Sequence, residues 1–410
     1  MDANSSAKMI VETLVKAGYV AYYAGGWVRD FVLSHPSDDV DIATSAHPEE
    51  VMALFPHTYA VGAAFGVVVV LVDDHQFEVA TFRRDDCYVG GRKPESVTFT
   101  DPKEDALRRD FTINGMFYDP LTETIYDFVG GREDLKKEVI RAIGNPYERF
   151  EEDRLRMIRA VRFSVRFGFP IEEETVEAIK AHAETLLPAV SVERIWQEFC
   201  RMIQDRTFAQ AVPIMAELGL LSVIFPVLRG TALEDIEKRV SVVADFPEDC
   251  PPILFLMELF PHLDIKEKIG ISRFLKVTNK DCKIVEFSSQ FRELIQKSVG
   301  DDPVNEVHAY ANPDSQVCLE TYAARLSSEE RKAFFLQHQG QRWKLGAHIE
   351  RIQQKNPLVS SFYLREEGIP SGKEMGALLK EAESIAIIND MDSREEVLTL
   401  LKQSSHWPVF

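Results

Sequence analysis

The sequence predicts an α+β chain, with a strand-bearing unit over residues 1–144 followed by helices alone. Strand-like runs cluster early, at 19–24, 39–43, 65–72 and 77–82. From Glu151 onward apolar residues recur at helical spacing, and no strand pattern of comparable strength follows residue 144. The later helices are broken at Pro226, Pro247, Pro251-Pro252, Pro261, Pro303 and Pro313, with no fixed-period repeat and no low-complexity tract.

At 410 residues the chain exceeds the size at which one core keeps growing, so at least two packing units are expected. A net charge of −19 is opposite to that of a general nucleic-acid coat, so any RNA must be gripped by local basic patches. Cys87, Cys200, Cys250, Cys282 and Cys318 are scattered without metal-ligand spacing and read as reduced thiols. The first residues lack a signal-like pattern, and no apolar run is long enough to span a membrane. The expectation is a soluble cytoplasmic protein.

Taken in order, residues 7–16 place Met9, Ile10, Leu14 and Val15 at helical spacing before Gly18. After the 19–24 strand, Gly25-Gly26 opens a helical 27–33 stretch. A turn without side chains lets backbone N–H groups approach a triphosphate, with Arg29 as a positive partner. In 39–43 the strand period of two sends Asp39 and Asp41 to one face, with Val40 and Ile42 on the other. Paired carboxylates suit Mg²⁺, and two ions clamping attacking and leaving oxygens is the chemistry of nucleotidyl transfer. An Asp-x-Asp alone is usually a solvated strand edge, and a Gly-Gly alone a turn. Strand, Gly-Gly turn, Arg-bearing helix and acidic strand in this order make the stronger signal.

Residues 44–50 resemble a helix start, with Pro48 and two first-turn acids. The runs 65–72 and 77–82 form a hairpin whose first arm, nearly all apolar, reads as a central strand covered on both faces. Glu78 is either a solvent-facing strand residue or a third carboxylate beside the metals. Residues 83–101 read as an irregular, charged loop, disordered or functional. A helix is expected over 104–118, where Arg108, Arg109, Asp110 and Asn114 form a polar strip against Phe111 and Ile113. A hairpin follows over 119–128, ending in Gly130-Gly131, and 139–144 reads as the last strand of the first unit.

The stretch 152–166 reads as one helix, with Arg156, Arg159, Arg162 and Arg166 beside a packing stripe of Leu155, Ile158, Val161 and Val165; Gly168 and Pro170 stop it. Four arginines without a lysine suggest planar donors for phosphates or bases, the alternative being a solvated basic face. Asp153 and Arg156 lie one turn apart. The carboxylate accepts from the exocyclic amine of cytosine or adenine while the guanidinium donates to the adjacent ring nitrogen, which selects C and A over G and U without a nucleic-acid template. Residues 191–199 open a capped amphipathic helix that braces this one, and Arg331-Lys332, 342–344 and 351–355 make the late region locally basic.

At these residues the sequence resembles the class II tRNA nucleotidyltransferase and poly(A) polymerase family, of the polymerase-β superfamily. The resemblance is strong over 20–200. Gly25 to Asp30 matches Gly-Gly-x-Val-Arg-Asp, and Asp39 and Asp41 match the metal Asp-x-Asp. Arg108 to Asn114 matches Arg-Arg-Asp-Phe-Thr-x-Asn, and Asp127 to Leu135 matches Asp-x-x-Gly-Gly-x-x-Asp-Leu. Glu152, Asp153 and Arg156 match the nucleotide-selecting Glu-Asp-x-x-Arg, and Glu193 to Glu198 more loosely a Glu-Arg helix start. The chain departs from the family pattern at Trp27, Asp38 and Gly115.

The resemblance implies a polymerase-β-like nucleotidyltransferase head with a small mixed sheet over 1–144. An all-α neck (145–206), body (207–300) and tRNA-binding tail (301–410) would follow. It implies Mg²⁺ on Asp39 and Asp41, with Glu78 as a further catalytic candidate, and nucleotide contacts from Gly25, Gly26, Arg29, Arg109, Asp110, Asn114, Asp153, Arg156, Arg159 and Arg162. The implied activity is addition of C, C and A to tRNA 3′ ends from CTP and ATP, with the 3′ end and acceptor stem of tRNA as partner and no membrane. Residues 83–99 resemble the flexible loop that CCA-adding members need to switch from C to A. A poly(A) polymerase or A-adding enzyme of the same family is the alternative, and an idle RNA-binding homologue a more distant one.

Overall fold

Helix α1 (Ala3–Lys16) opens the computed structural model, which describes residues 2–35, 37–62, 65–85, 88–89, 93–94 and 96–408. Asp2 caps α1 by accepting from the Ser5 N–H at 2.7 Å, and Ile10, Val11 and Leu14 form its buried stripe. There follow β1 (Ala21–Ala24), α2 (Gly26–Val32), β2 (Asp41–Thr44), α3 (Pro48–Leu54), β3 (Thr58–Gly62), β4 (Val67–Val72) and β5 (His75–Thr81). Beyond them lie β6 (Arg83–Asp85), β7 (Tyr88–Val89), β8 (Lys93–Pro94), β9 (Val97–Phe99), α4 (Pro102–Leu107), β10 (Met116–Asp119), β11 (Thr124–Asp127) and α5 (Gly131–Lys136).

These residues build a seven-stranded sheet in the order β11-β10-β1-β2-β5-β4-β3, antiparallel except where β2 runs parallel to β5. The register sets Ile42 beside Val79 and Ala24 opposite Asp41. Because side chains alternate along a strand, Ile42, Val79, Phe77, Val68 and Val70 enter the core, where α1 and α3 pack. Asp41 and Glu78 emerge together on the other face.

Several expectations are corrected in this first part. Strand β4 alternates instead of being covered on both faces: Val68, Val70 and Val72 are buried, while Val67, Val69 and Leu71 are half-buried. It lies one strand in from the edge, and α3 packs against it. The edge strand β3, broken by a register shift between Tyr59 and Gly62, was not anticipated. Residues 83–99 are paired where described, β6 with β9 and β7 with β8; Asp86, Cys87, Gly90, Gly91, Arg92 and Glu95 lie outside the described residues.

The helix expected over 104–118 is instead α4, a 3-10 turn at Thr112–Asn114, and β10. Asp110 and Thr112 break the helix by bonding elsewhere. Thr112 N donates to Arg141 O at 3.0 Å and Ile143 N to Asp110 O at 3.1 Å, zipping this segment onto 140–143. That stretch is therefore no strand of the sheet, but makes isolated bridges, Phe111 with Ala142 and Ile140 with Ile171.

The helical part of the first unit comprises α6 (Pro146–Glu152), α7 (Leu155–Phe167), α8 (Glu173–His182), the short α9 (Leu186–Ala189) and α10 (Val192–Gln204), then further helices. The single helix expected over 152–166 is broken at Asp153, whose φ of −143° and ψ of 102° are extended. Its side chain instead receives the Leu155 N–H at 3.1 Å, starting α7 afresh. Gly168, at φ +71°, ends α7 in the left-handed conformation that favours glycine.

The chain divides into two compact units, Met1–Glu237 and Lys238–Phe410. In the second unit the described residues are helical, around two apolar cores. One gathers Val307, Tyr310, Leu319 and Ile349, the other Leu364, Leu378, Val397 and Leu401. Helix Lys373–Ile388 feeds both, through Ile387 and through Leu378 and Ala382. Among the described residues Cys200, Cys250, Cys282 and Cys318 form no disulfide. No helix among the described residues is long and apolar enough to cross a membrane.

Candidate active site

The site begins at the turn between β1 and α2. Gly25 has φ +66° and ψ −129°, a conformation reserved for glycine, and a Cβ there would lie 3.2 Å from Arg109 Nη1 and 3.8 Å from Asp41 Oδ2. One missing side chain thus brings the head's acidic strand and its arginine strip together. Asp39 lies just before β2, yet the alternation holds across it: Asp39 and Asp41 are open, while Val40 and Ile42 are buried. Although Asp41 reaches solvent, the surrounding protein and the Glu78 and Asp39 carboxylates push its carboxyl up to about 6, against the pull of Arg109. Negative charge is therefore crowded here, which a bound divalent cation relieves. Among the described residues no three His, Cys, Asp or Glu side chains form a metal-holding group. Mg²⁺ commonly takes only one or two carboxylates and fills its shell with water and phosphate oxygens, so the Asp39–Asp41 pair fits that demand.

Opposite the acidic strand stands an arginine layer fixed by carboxylates. Asp105, 1% exposed, accepts from Arg108 Nε at 2.9 Å, from Arg109 Nη2 at 3.0 Å and from the Arg83 backbone at 3.2 Å. Burial alone would raise its carboxyl, but Arg109 and Arg108 outweigh that and hold it low. Arg29 is buried, donates to Asn114 Oδ1 at 2.6 Å and to Asp30 at 2.8 Å, and stacks 4.6 Å from the Phe167 ring. Its desolvation pulls its pKa down. Expected as a partner of phosphate, Arg29 in fact spends its guanidinium joining α2 to α7. Asp110 accepts from Arg159 Nε at 2.8 Å, from Asn114 Nδ2 at 3.2 Å and from the Phe111 N–H at 2.8 Å. Burial opposes its ionisation, yet Arg159 and these bonds hold its carboxyl at about 2.

Asp153, Arg156 and Arg159 face the same cavity of about 580 Å³ as Gly25, Gly26, Arg29, Asp41, Arg109, Asp110 and Asn114. The break at Asp153 means that Asp153 and Arg156 are not stacked on one helix; they flank its start. Arg194 donates to Asp153 at 3.2 and 2.7 Å. Arg156 Nη1 donates to Glu152 at 2.7 Å and to Arg149 O at 3.1 Å, and Nη2 to Arg108 O at 2.9 Å. With Leu155 N also on Asp153, three of roughly four acceptor positions of the carboxylate are used, and about two of the five guanidinium N–H bonds of Arg156 remain. Arg162 does not line the cavity. It is buried on Glu198 at 2.6 Å, beneath the wall, so the arginine row of α7 is neither a solvated face nor a continuous donor surface.

The stretch Asp127–Leu135 braces the site without lining it. Asp127 accepts from the N–H groups of Val129, Gly130, Gly131 and Arg132 at 2.8–3.1 Å and so caps α5. Asp134 takes the Thr112 hydroxyl at 2.7 Å, and a Cβ on Gly131 would lie 2.3 Å from Thr112 O. Trp27 also turns away from the cavity. Its Nε1 donates to Asn4 and Ser37, and its ring stacks on Phe31 at 5.1 Å.

Sequence reasoning took α10 as a brace and missed its cavity face. Arg194, Gln197, Glu198 and Arg201 all line the space, and Glu198, 1% exposed, holds both Arg162 and Arg201. The signal available was the spacing of 194, 197, 198 and 201, which places four polar residues on one side of a helix.

Comparison with known proteins follows the same division. Residues 21–141 match the family described as Poly A polymerase head domain, and 168–230 the one described as Probable RNA and SrmB- binding site of polymerase A. The CCA-adding enzyme of Enterococcus faecalis is 48% identical over 198 residues, 48% of either chain. That of Geobacillus stearothermophilus is 46% identical over 238 residues, 58% of this chain and 57% of the relative. Against such curated relatives the chain spans about half of their length. The CCA-adding enzyme of Lactobacillus helveticus is 47% identical over 302 residues, 73% of this chain and 74% of the relative. Among solved structures, that of the Bacillus stearothermophilus CCA-adding enzyme in complex with CTP superposes with a TM-score of 0.81 at 30% identity, covering 98% of both chains.

Proposed function

This chain belongs to the family of the CCA-adding enzymes, and from that premise we propose that it adds C, C and A, without a template, to tRNA 3′ ends. CTP and ATP are the substrates, the terminal RNA hydroxyl attacks the α-phosphorus, and pyrophosphate leaves. The observation that carries the reading is the state of Asp153 and Arg156. Their other bonds leave about one acceptor position and two donors on two residues that line the cavity. That is the complement of the amine and ring nitrogen on cytosine and adenine, and it mismatches the carbonyl of uracil and guanine.

The remaining residues are assigned around that pair. Asp39 and Asp41 hold Mg²⁺, with Glu78 adding negative charge at Asp41. When bound, the ions polarise the α-phosphate and lower the pKa of the attacking hydroxyl. Gly25 and Gly26 let the triphosphate approach the backbone, and Arg109 offers positive charge beside it. Asp110 and Asn114 keep Arg159 and Arg29 in place. We assign 1–144 as head, 145–206 as neck, 207–300 as body and 301–410 as the tRNA-binding tail, working in the cytoplasm.

Incubation of the protein with all four nucleotides, Mg²⁺ and tRNA ending at the discriminator base, or an unstructured RNA, followed by product sequencing, tests the reading. The expected product is CCA on tRNA alone. Long A tails on both RNAs would replace it with poly(A) synthesis, and tRNA binding without incorporation would leave an RNA-binding homologue.

A further inference from the structure

The second unit holds a cavity of about 230 Å³ between its two apolar cores. Its walls are Ile352, Leu358, Leu379, Ala382, Ala386 and Ile387. Two facts set it apart from a packing defect. Ala382 and Ala386, one turn apart on Lys373–Ile388, are the small residues that leave the space, although filling an apolar void of this kind stabilises a fold. The rim, moreover, is cationic. Arg351 and Lys355 stand four residues apart at the end of helix Gly346–Gln353.

The hydrogen bonds at this rim leave donors unspent. Arg351 Nη2 donates to His348 Nδ1 and to Met391 O, which fixes the guanidinium while its Nε and Nη1 have no acceptor among the described residues. With Nδ1 accepting, His348 donates from Nε2 to Asp390 at 3.1 Å, so the buried imidazole is satisfied without using the cavity. Lys355 is exposed and makes no ion pair among the described residues. The acid at the cavity, Glu383, is engaged by His308 Nε2 at 2.7 Å. A largely apolar wall under a fixed, partly free guanidinium and a free ammonium suits a flat organic group carrying an anion.

We propose that this cavity is a second nucleotide site, taking one base between Leu358, Leu379 and Ala386 and its phosphate on Arg351 and Lys355. At about 230 Å³ it is smaller than the roughly 300–1,000 Å³ of drug-sized ligand pockets, so it takes the base alone and leaves sugar and phosphate at the rim. The nucleotide comes either free from solution or from a strand of bound RNA.

Photo-labelling of the full chain with an azido derivative of AMP, and separately with tRNA carrying one azidoadenosine, followed by peptide mapping, tests this. Labelling within 348–387 that unlabelled AMP competes away is the expected result for the free nucleotide; labelling only from the tRNA probe assigns the site to RNA. Lys355→Glu, at an exposed position, should lower that labelling roughly tenfold. Ala386→Phe, which fills the cavity, should abolish it. Labelling confined to the first unit with both probes, or unchanged by Lys355→Glu, overturns the proposal. CCA incorporation at the first unit is measured in parallel, so failure of that reaction and failure of this site are distinct outcomes.

Discussion

Arg194 donates to both carboxylate oxygens of Asp153, at 3.2 Å to Oδ1 and 2.7 Å to Oδ2. A bidentate pair fixes the plane of the carboxylate as well as its charge, so the remaining acceptor position points in one direction. Arg194→Ala is expected to lower the preference for CTP and ATP over UTP and GTP by about tenfold, from the lower part of the range for one bidentate base contact. Arg194→Lys, which keeps charge without the fork, should restore less than half of the loss in free-energy terms. Competition assays with all four nucleotides measure both.

Arg156→Ala removes the donors of the pair outright. The preference for C and A should fall by about one to two orders of magnitude, matching roughly 1–3 kcal/mol per bidentate contact. Equal loss for all four nucleotides would make Arg156 a structural residue that ties Glu152 and Arg108 to α7.

Asp39→Ala and Asp41→Ala are each expected to reduce nucleotide incorporation by roughly a hundredfold or more, the scale of losing a principal charge stabiliser of the transition state. tRNA binding, measured by gel retention, should stay near its original strength. Incorporation within a few-fold of the unaltered protein would remove both residues from the chemistry.

Gly131→Ala places a methyl group 2.3 Å from Thr112 O and 2.9 Å from Met116 Cγ. Backbone must move to admit it, so the first unit should lose roughly 1–3 kcal/mol, read as a lower denaturant midpoint. Because Thr112 anchors the Asp110 segment, activity should fall further than stability alone accounts for.

His338 supplies a pH test of the second unit. Burial and the nearby Arg342 charge hold it at about 4, below its ordinary 6.5, and its Nδ1 shares a 2.7 Å hydrogen bond with the Tyr310 hydroxyl. Between those values the unfolded chain binds the extra proton and the folded chain does not, so stability rises with pH across this window and is lost as pH falls through it. Melting curves of the unaltered chain and His338→Gln should therefore run parallel above pH 7, an upper bound set by the ordinary histidine range. They should converge as the pH is lowered, because only the histidine protein pays the protonation penalty.

Much of this was readable before any coordinates. The alternation through Asp39, Val40, Asp41 and Ile42 placed two acids on one face, and the glycine before α2 announced a turn that no side chain fits. What stayed hidden shared one physical cause: side chains that serve distant backbone. Asp105 reads as an ordinary helix acid, yet it is buried because it collects Arg83, Arg108 and Arg109. The helical period runs unbroken through Leu155 and Ile158, so nothing in it betrays that Asp153 leaves the helix to take the Leu155 N–H. Residues 108–114 have the composition of a helix, and only their bonds to 141–143 overrule it.

The antiparallel pairing of Tyr23 with Tyr118 and Ala24 with Phe117 has a consequence for synthesis. Strands β2, β5, β4 and β3 can assemble on one side of β1 as soon as residue 81 has left the ribosome, but the other side waits for residue 119. Until then β1 presents a bare row of N–H and C=O groups, a template for any stray strand. Closing the longer loop adds little entropy beyond a short one, since that cost grows only with the logarithm of length. A nascent chain stalled between these two points thus carries an unpaired inner strand that invites aggregation.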